Sequence, residues 1–253
     1  MKSKKKRTVL EISGEDRFKF LQAIITNDIN LLEKGPIYSA LLTPQGKYFT
    51  DFFLIPYEGR ILLDILEDAC EELKNKLLLY RLRAKVEIIK TDLKVSLGLS
   101  NKPKEAFSDP RHPALGWRSY GPEDIAQEVD WTQVRVSYCI PETNIELVRD
   151  QTYILEAGFE RLNGVDFKKG CYIGQEITAR MHHKTDLKKG LITVQIDGEA
   201  EVGTEILANG QNAGTLYSQS KGRGIAFLRL NKILPEMSAG NATIYTEERQ
   251  ILF

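Results

Sequence analysis

The amino-acid sequence predicts an α+β protein, with antiparallel sheets and packed helices followed by a small C-terminal β-barrel. Strand-like and helical segments follow each other in the N-terminal half, which is typical of helices packed on an antiparallel sheet. From about residue 186 onward only short strands remain, and Asn209-Gly210 between two of them is a strong hairpin signal. We therefore expect two domains, residues 1–185 and residues 186–253.

The N-terminal half begins with a predicted strand and a capped helix. Alternation marks Thr8–Ile12 as a strand, and Asp16 precedes a helix, Arg17–Thr26, whose apolar residues share one face. Three strands joined by short turns predict an antiparallel meander: Ile37–Leu42, Tyr48–Ile55 and Ile61–Leu66. The remaining elements of this half are a helix, Asp68–Arg83, and two strands, Lys85–Ile89 and Leu93–Leu97.

The middle of the chain is less regular. Residues 101–122 contain four prolines and no sustained periodicity, so they predict a long connection. A helix is predicted within Asp124–Ile140. The strands predicted for the barrel are Leu191–Ile196, Glu205–Ala208, Ala213–Ser218, Gly224–Leu230 and Ala242–Thr246.

Composition argues against several classes of protein. Lys+Arg and Asp+Glu both number 35, so the formal net charge is zero, which disfavours binding to nucleic acid mainly through phosphates. No apolar run reaches the length of a membrane span. The three cysteines, Cys70, Cys139 and Cys171, are widely spaced and form no metal-ligand pattern, so we predict no metal site and reduced thiols.

The N-terminal segment, Met1–Arg7, is basic but lacks the apolar stretch of a secretory signal. We interpret it as a solvated lead-in, with contact to RNA or an anion as the alternative. Because a strand follows at once, we expect no transit peptide and a cytoplasmic protein.

The most unusual stretch is Lys168-Lys169-Gly170-Cys171-Tyr172-Ile173-Gly174-Gln175-Glu176. Two glycines in so short a span predict unusual backbone angles or the close approach of another segment. A helix is expected to begin near Gln175, and Glu176 would complement its dipole. The lysines would activate the thiol of Cys171 if they point at it. The residues alone leave open an ordinary loop with a partly buried cysteine.

The pattern Lys169-Gly170-Cys171-Tyr172-x-Gly174-Gln175-Glu176 resembles the signature of the YgfZ family, folate-binding relatives of the aminomethyltransferase of glycine cleavage. Further stretches fit the family in order: Thr26-Asn27-Asp28, Ala40–Lys47, Asp109-Pro110-Arg111 with Gly116-x-Arg118, and Ile140-Pro141-Glu142. The resemblance implies an aminomethyltransferase-like region of two interleaved subdomains in residues 1–185. It also implies tetrahydrofolate, or a one-carbon-substituted folate, as the cofactor. The implied function is support of iron–sulfur cluster assembly or repair, with iron–sulfur proteins or assembly factors as transient partners.

The same resemblance implies the site residues. Catalytic roles fall to Cys171, Lys169 and Asp51, with Cys171 at the rim of a folate cleft. The residues implied for cofactor binding are Asn27, Arg111, Arg118, Tyr172, Gly174, Gln175 and Glu176. The two arginines suit a carboxylate such as the glutamyl tail of a folate. Structural alternatives stay open: Asn27 as a helix-end cap, Asp51 as an exposed strand carboxylate and Tyr172 as a core aromatic.

Two other functions stay open at this point. An aminomethyltransferase would move a one-carbon unit to tetrahydrofolate, but Thr50 and Ser137 stand where the resemblance leads us to expect acids. Whether the protein is an enzyme is therefore undecided. A tRNA-modification accessory factor that uses the basic N-terminus is the third function.

Overall fold

A computed structural model of the chain describes residues 5–184 and 187–246. The described residues divide into two compact units, one of residues 5–129 and 160–175 and the other of residues 130–159 and 176–246. The domain boundary predicted between residues 185 and 186 lies outside the described residues and stays a prediction. Residues 1–4 of the basic N-terminal segment also lie outside them.

The first unit is built on an antiparallel five-stranded sheet. Its strands are β1 (Arg7–Ser13), β2 (Ile37–Leu42), β3 (Tyr48–Tyr57), β4 (Arg60–Leu66) and β5 (Glu87–Lys90). Their order is β2-β3-β4-β1-β5, with antiparallel pairing throughout. The predicted meander of β2, β3 and β4 is therefore confirmed.

The two faces of this sheet differ in chemistry because successive side chains of a strand point to opposite sides. One face is apolar and packs with the helices α1 (Arg17–Gln22) and α2 (Glu67–Arg81) in a single hydrophobic core, in which Cys70 is buried. The other face, which we call the polar face, carries polar and aromatic side chains among aliphatic ones such as Val9, Ile55 and Leu62. The register of β2, β3 and β4 aligns four buried side chains on it: Tyr38, Asp51, Phe53 and Asp64.

The helix predicted as Arg17–Thr26 ends earlier, at Gln22. Thr26 has left the helix, because its backbone N–H donates to the Ala40 carbonyl at 3.0 Å and its Oγ1 accepts from the Ala40 N–H at 2.9 Å. Pairing with β2 therefore takes precedence over local helix propensity here.

The prediction of a long irregular connection over residues 101–122 is wrong in part. This stretch contributes β7 (Phe107–Ser108) and β8 (Trp117–Gly121), which form a three-stranded sheet with β6 (Lys94–Gly98) in the order β6-β8-β7. Gly116 makes the turn into β8 possible: its φ is +64°, and a Cβ there would lie 2.1 Å from the Gly98 carbonyl oxygen. Because prolines lie on both sides of β8, the sequence pattern did not predict this strand.

The second unit contains the predicted barrel. Its strands are β9 (Lys189–Asp197), β10 (Glu205–Ala208), β11 (Gln211–Ser220), β12 (Arg223–Arg229), β13 (Glu236–Ala239) and β14 (Ala242–Tyr245). They close in the order β10-β11-β12-β9-β14-β13, which confirms the predicted fold class. Helix α3 (Trp131–Ser137), shorter than the predicted segment, packs on β11 through Arg135, which donates to Ser218 Oγ at 2.9 Å. Helix α4 (Gln175–Lys184) precedes the barrel in the chain.

Candidate functional site

Residues 163–174, which we call the motif loop, are fastened to the chain that follows α1. The backbone N–H of Asp166 donates to the Thr26 carbonyl at 3.1 Å. The Asp166 carboxylate accepts from the backbone N–H groups of Lys168 and Lys169 at 2.6 and 2.9 Å. This turn directs the Lys169 side chain toward the end of α1.

Lys169 is buried, and its ammonium donates to three backbone carbonyls. The Nζ atom lies 2.8 Å from the Gln22 oxygen, 2.6 Å from that of Ile25 and 3.0 Å from that of Asn27. Because an ammonium has three N–H donors, these bonds use all of them. Burial lowers the pKa of Lys169 to about 8, although Asp28 and Asp166 act in the opposite direction. Activation of the Cys171 thiol by Lys169 was expected only if the lysine points at the sulfur, and its three carbonyl partners do not meet that condition.

Gly174 fastens the other end of the motif loop. Its φ is +80°, and a Cβ there would lie 2.5 Å from the Thr43 oxygen and 2.9 Å from Leu42 Cβ. The glycine thus allows close contact with the Pro/Gly turn between β2 and β3. Gly170 has no neighbour within 4 Å of such a Cβ, so only one of the two glycines meets the expectation.

Cys171 is exposed in the part of the motif loop between Lys169 and Gly174, whereas Cys70 is buried and Cys139 is half-buried. Tyr172 is buried and its ring lies 4.9 Å from Lys169 Nζ, which fits the packing alternative better than stacking on a ligand. Helix α4 begins at Gln175, as predicted, and Glu176 is exposed in its first turn. Their predicted cofactor contacts stay predictions.

Asn27 connects the motif loop to the sheet. Its Nδ2 donates to the carbonyls of Tyr38 and Asn163, both at 2.8 Å, and its Oδ1 accepts from the Asp28 N–H at 2.9 Å. The amide is buried and both N–H donors are used. These contacts favour a structural role for Asn27 over a cofactor ligand, but the role is to join the motif loop to β2 and not to cap a helix end.

Asp51 lies on the polar face of the sheet, where two tyrosines hold its carboxylate. Tyr48 Oη donates to one oxygen at 2.6 Å and Tyr38 Oη to the other at 3.0 Å. Burial, and then the negative charge of Asp51, raise the pKa of Tyr38 well above its ordinary value. The exposed-carboxylate alternative for Asp51 is wrong, because the side chain is buried.

Arg118 cannot serve the predicted role of binding a folate tail. It is 1% exposed, and its guanidinium donates to Asp64, to Asp109 at 3.0 Å and to Tyr120 Oη at 3.1 Å. Arg7 donates to the other oxygen of Asp64. Burial alone would raise the pKa of Asp64, but the two guanidiniums outweigh it and hold the pKa below the ordinary carboxyl value.

Arg111 is partly committed to Asp109. Its Nε and Nη2 donate to the two carboxylate oxygens at 3.0 and 2.9 Å, a bidentate pair. Burial acts to raise the pKa of Asp109, but Arg111 and Arg118 lower it to about 2. The Arg111 guanidinium also lies 5.5 Å from the Tyr38 ring and retains some exposure, at 15% of its side chain.

Four residues that position this site were missed as site residues by sequence reasoning: Tyr38, Tyr48, Asp64 and Asp166. Asp64 had a readable signal, since it is a single acid inside the apolar segment Ile61–Leu66. The two tyrosines resembled ordinary strand aromatics. Over residues 5–184 and 187–246, no group of three or more His, Cys, Asp or Glu residues is arranged to hold a metal ion. Within the same ranges, no helix is long and apolar enough to cross a membrane.

Comparison with known structures identifies the fold. The glycine cleavage system aminomethyltransferase T from Bartonella henselae superimposes with a TM-score of 0.76, covering 96% of this chain and 83% of that one. The identity is 13%, so this likeness shows an aminomethyltransferase-like fold alone. A family model described as the CAF17 C-terminal beta-barrel domain matches residues 188–250.

Curated relatives are iron–sulfur cluster assembly factors. The mitochondrial IBA57 homolog of Pyricularia oryzae is 28% identical over 218 residues, 74% of this chain and 55% of that protein. Human mitochondrial IBA57 is also 28% identical, over 90% of this chain and 76% of its own. The chain thus spans about half the length of the first of these relatives. All are named as mitochondrial, so the predicted cytoplasmic location is wrong.

Proposed function

We propose that this protein is a YgfZ-like, tetrahydrofolate-binding factor that supports iron–sulfur cluster assembly or repair. The observation that carries the proposal is the exposed Cys171 on a loop fastened at both ends to the folded unit. The motif loop contacts two segments that are far from it in sequence, the Thr26-Asn27-Asp28 stretch and the turn before β3. The names of the IBA57 relatives support the iron–sulfur part of the proposal.

The folate part rests on the polar face of the sheet. Tyr38 and Tyr48 hold the Asp51 carboxylate in a fixed position, and a partly exposed guanidinium, that of Arg111, lies against the Tyr38 ring. The Asp51 carboxylate accepts hydrogen bonds and the Arg111 guanidinium donates them, and together with the rings of the two tyrosines they suit a flat heterocycle with amino and carbonyl groups. Bound folate would supply a one-carbon carrier. The residues of this chain bind and orient it.

The number of exposed thiols supports iron–sulfur proteins or assembly factors as partners. A cluster requires several thiolates, and of the three cysteines only Cys171 is exposed. The protein therefore acts on clusters together with iron–sulfur proteins or assembly factors, in transient complexes.

Two measurements test this function. Calorimetric titration with tetrahydrofolate is expected to give binding to the wild type and a loss of at least about tenfold in Asp51→Asn, because a charge-assisted hydrogen bond contributes about 1.5–3 kcal/mol. In cells that lack the protein, Cys171→Ser is expected to fail to restore an iron–sulfur enzyme, whereas Cys139→Ser restores it. Absence of folate binding by the wild type would remove the folate part, and rescue by Cys171→Ser would remove the role of the thiol.

Aminomethyl transfer is the second candidate, favoured by the aminomethyltransferase-like fold and by the retained Asp51. It predicts turnover of a lipoyl-carried aminomethyl donor with tetrahydrofolate. Absence of product under those conditions would exclude it. The accessory role in tRNA modification has less support, since Arg7 of the basic segment is engaged with Asp64.

A further inference from the structure

Helix α1 ends at Gln22, and the backbone carbonyl of Gln22, together with those of Ile25 and Asn27 in the chain beyond the helix, accepts from a donor outside this segment. The last carbonyls of any helix lack intrahelical donors and require others. Here the oxygens of Gln22, Ile25 and Asn27 converge on one buried point, and the Lys169 ammonium occupies it. Lysine near a helix C-terminus commonly satisfies such carbonyls, but this lysine comes from a loop more than 140 residues away in sequence.

Lys169 is separated from Cys171 by a single residue, Gly170. A Cβ atom at Gly170 would have no neighbour within 4 Å. The neighbouring residues differ sharply in burial: Lys168, Gly170 and Cys171 are exposed, whereas Lys169 is buried. The lysine is therefore a side-chain anchor in the middle of the motif loop, between the backbone bonds of Asp166 and the close contact of Gly174. The cysteine that follows is displayed on its outer side.

We infer that Lys169 is a positioning residue for Cys171: its ammonium, held by the carbonyls of Gln22, Ile25 and Asn27, fixes the loop that presents the thiol. The inference rests on the proposed function in one respect, since that function gives the thiol its role. The lysine does not act on the sulfur by charge. It acts through the backbone, because its hydrogen bonds to three carbonyl acceptors hold the loop in place.

The groups that face Lys169 agree with this role. Asp28, the N-cap of the 3-10 helix Ile29–Lys34, and Asp166, in the motif loop, contribute negative charge, and the centre of the Tyr172 ring lies 4.9 Å from the ammonium. Burial counteracts both carboxylates, and with a pKa of about 8 the ammonium is the main form at neutral pH. Loss of that ammonium would leave three buried carbonyls without these donors, which is costly.

The inference is tested on the full chain without folate or clusters, so its outcome is independent of the proposed function. Lys169→Met keeps the length and apolar stem of the side chain but removes its donors. Hydrogen exchange, resolved by peptide mass spectrometry, is expected to be about tenfold faster over residues 166–169, where the N–H groups of Asp166, Lys168 and Lys169 are hydrogen-bonded, since about 1.4 kcal/mol of local stability corresponds to a factor of ten. The matched control, Lys168→Met, removes an exposed lysine from the same loop and is expected to leave exchange unchanged.

Alkylation by iodoacetamide separates positioning from electrostatics. In Lys169→Met the limiting rate at Cys171 is expected to change while the pH midpoint of its alkylation stays, and buried Cys70 remains protected. A shift of the midpoint with no change in exchange would assign the lysine a charge effect and overturn the inference. Increased alkylation of Cys70 in step with Cys171 would indicate general unfolding and overturn it equally.

Chemical rescue keeps the inference testable even if substitution impairs folding. In Lys169→Ala, added ethylammonium is expected to restore the exchange pattern, or folding itself, because its N–H groups can donate to the carbonyls of Gln22, Ile25 and Asn27. Tetramethylammonium has the same charge but no N–H donor and is expected to restore nothing. Equal rescue by both ions, or by neither, would contradict the role of the three carbonyls.

Discussion

Asp64 lies in the middle of β4, and its carboxylate is shared by two arginines, Arg7 and Arg118. Asp64→Asn removes the carboxylate charge that pairs with Arg7 and one of the two carboxylate charges that pair with buried Arg118, and breaking one partner of a buried pair costs about 3–5 kcal/mol. We expect a loss of that size in the free energy of unfolding, measured with urea. The control is Glu15→Gln, which breaks the exposed pair with Lys85 and is expected to cost less than about 1 kcal/mol. Equal stability of the two variants would contradict this account.

At the scale of single residues, the sequence indicated the motif but not how its charges are used. Gly174 has the positive φ and the close approach of another segment that were expected of it, whereas the roles of Cys171 and Lys169 stay predictions. Arg118 was predicted to face a ligand, yet its carboxylate partner Asp64 lies 54 residues earlier in the chain. Which guanidinium meets an internal carboxylate depends on strand register between two sheets, which local pattern does not contain.

Gly174 is the residue on which the contact between the motif loop and the β2–β3 turn depends. Gly174→Ala forces a side chain into a positive φ and to 2.5 Å from a backbone oxygen, so the turn must move. We expect a loss of about 1–3 kcal/mol in the free energy of unfolding, the cost typical of such strain. Gly170→Ala in the same loop meets open space and is expected to change stability by less than about 0.5 kcal/mol. Similar denaturation midpoints for both variants would show that the close contact is unimportant.

At the scale of elements, periodicity predicted which segments form strands and helices better than where they end. The barrel hairpin at Asn209-Gly210 follows from local chemistry, since both residues adopt positive φ. Helix α1 ends at Gln22, before Thr26 pairs with β2, and β8 forms between two prolines with its Trp117 buried. Both outcomes are set by tertiary contacts, so sequence pattern alone missed them.

Folding of the whole molecule should depend on acid through its buried carboxylates. Asp109 has a pKa of about 2 in the folded protein, against about 3.9 in an unfolded chain. Its contribution is therefore present above pH 4 and is lost as pH falls toward 2, and it amounts to about 2 kcal/mol. Asp64 acts in the same direction. We expect urea unfolding of Asp109→Asn to show a shallower loss of stability between pH 4 and pH 2 than the wild type, whereas Glu15→Gln follows the wild type.

At alkaline pH, titration of Lys169 changes the free energy of unfolding, and its effect depends on the lowered pKa of this residue. Its pKa is about 8 in the folded protein and about 10.4 in an unfolded chain, so between these values the unfolded state holds more protons and rising pH favours folding. Cys70 and Tyr38, whose pKa values are raised by burial, oppose this trend, because the unfolded state loses their protons first. The contribution of the lysine must therefore be measured as a difference in the free energy of unfolding between variants.

We expect the destabilisation caused by Lys169→Met, relative to wild type, to grow by about 2–3 kcal/mol from pH 7.5 to pH 10. The exposed Lys168 offers the control, since Lys168→Met should give a constant difference over the same range. A flat difference for Lys169→Met would mean that the ammonium keeps its ordinary pKa, and that the three carbonyls compensate fully for its burial.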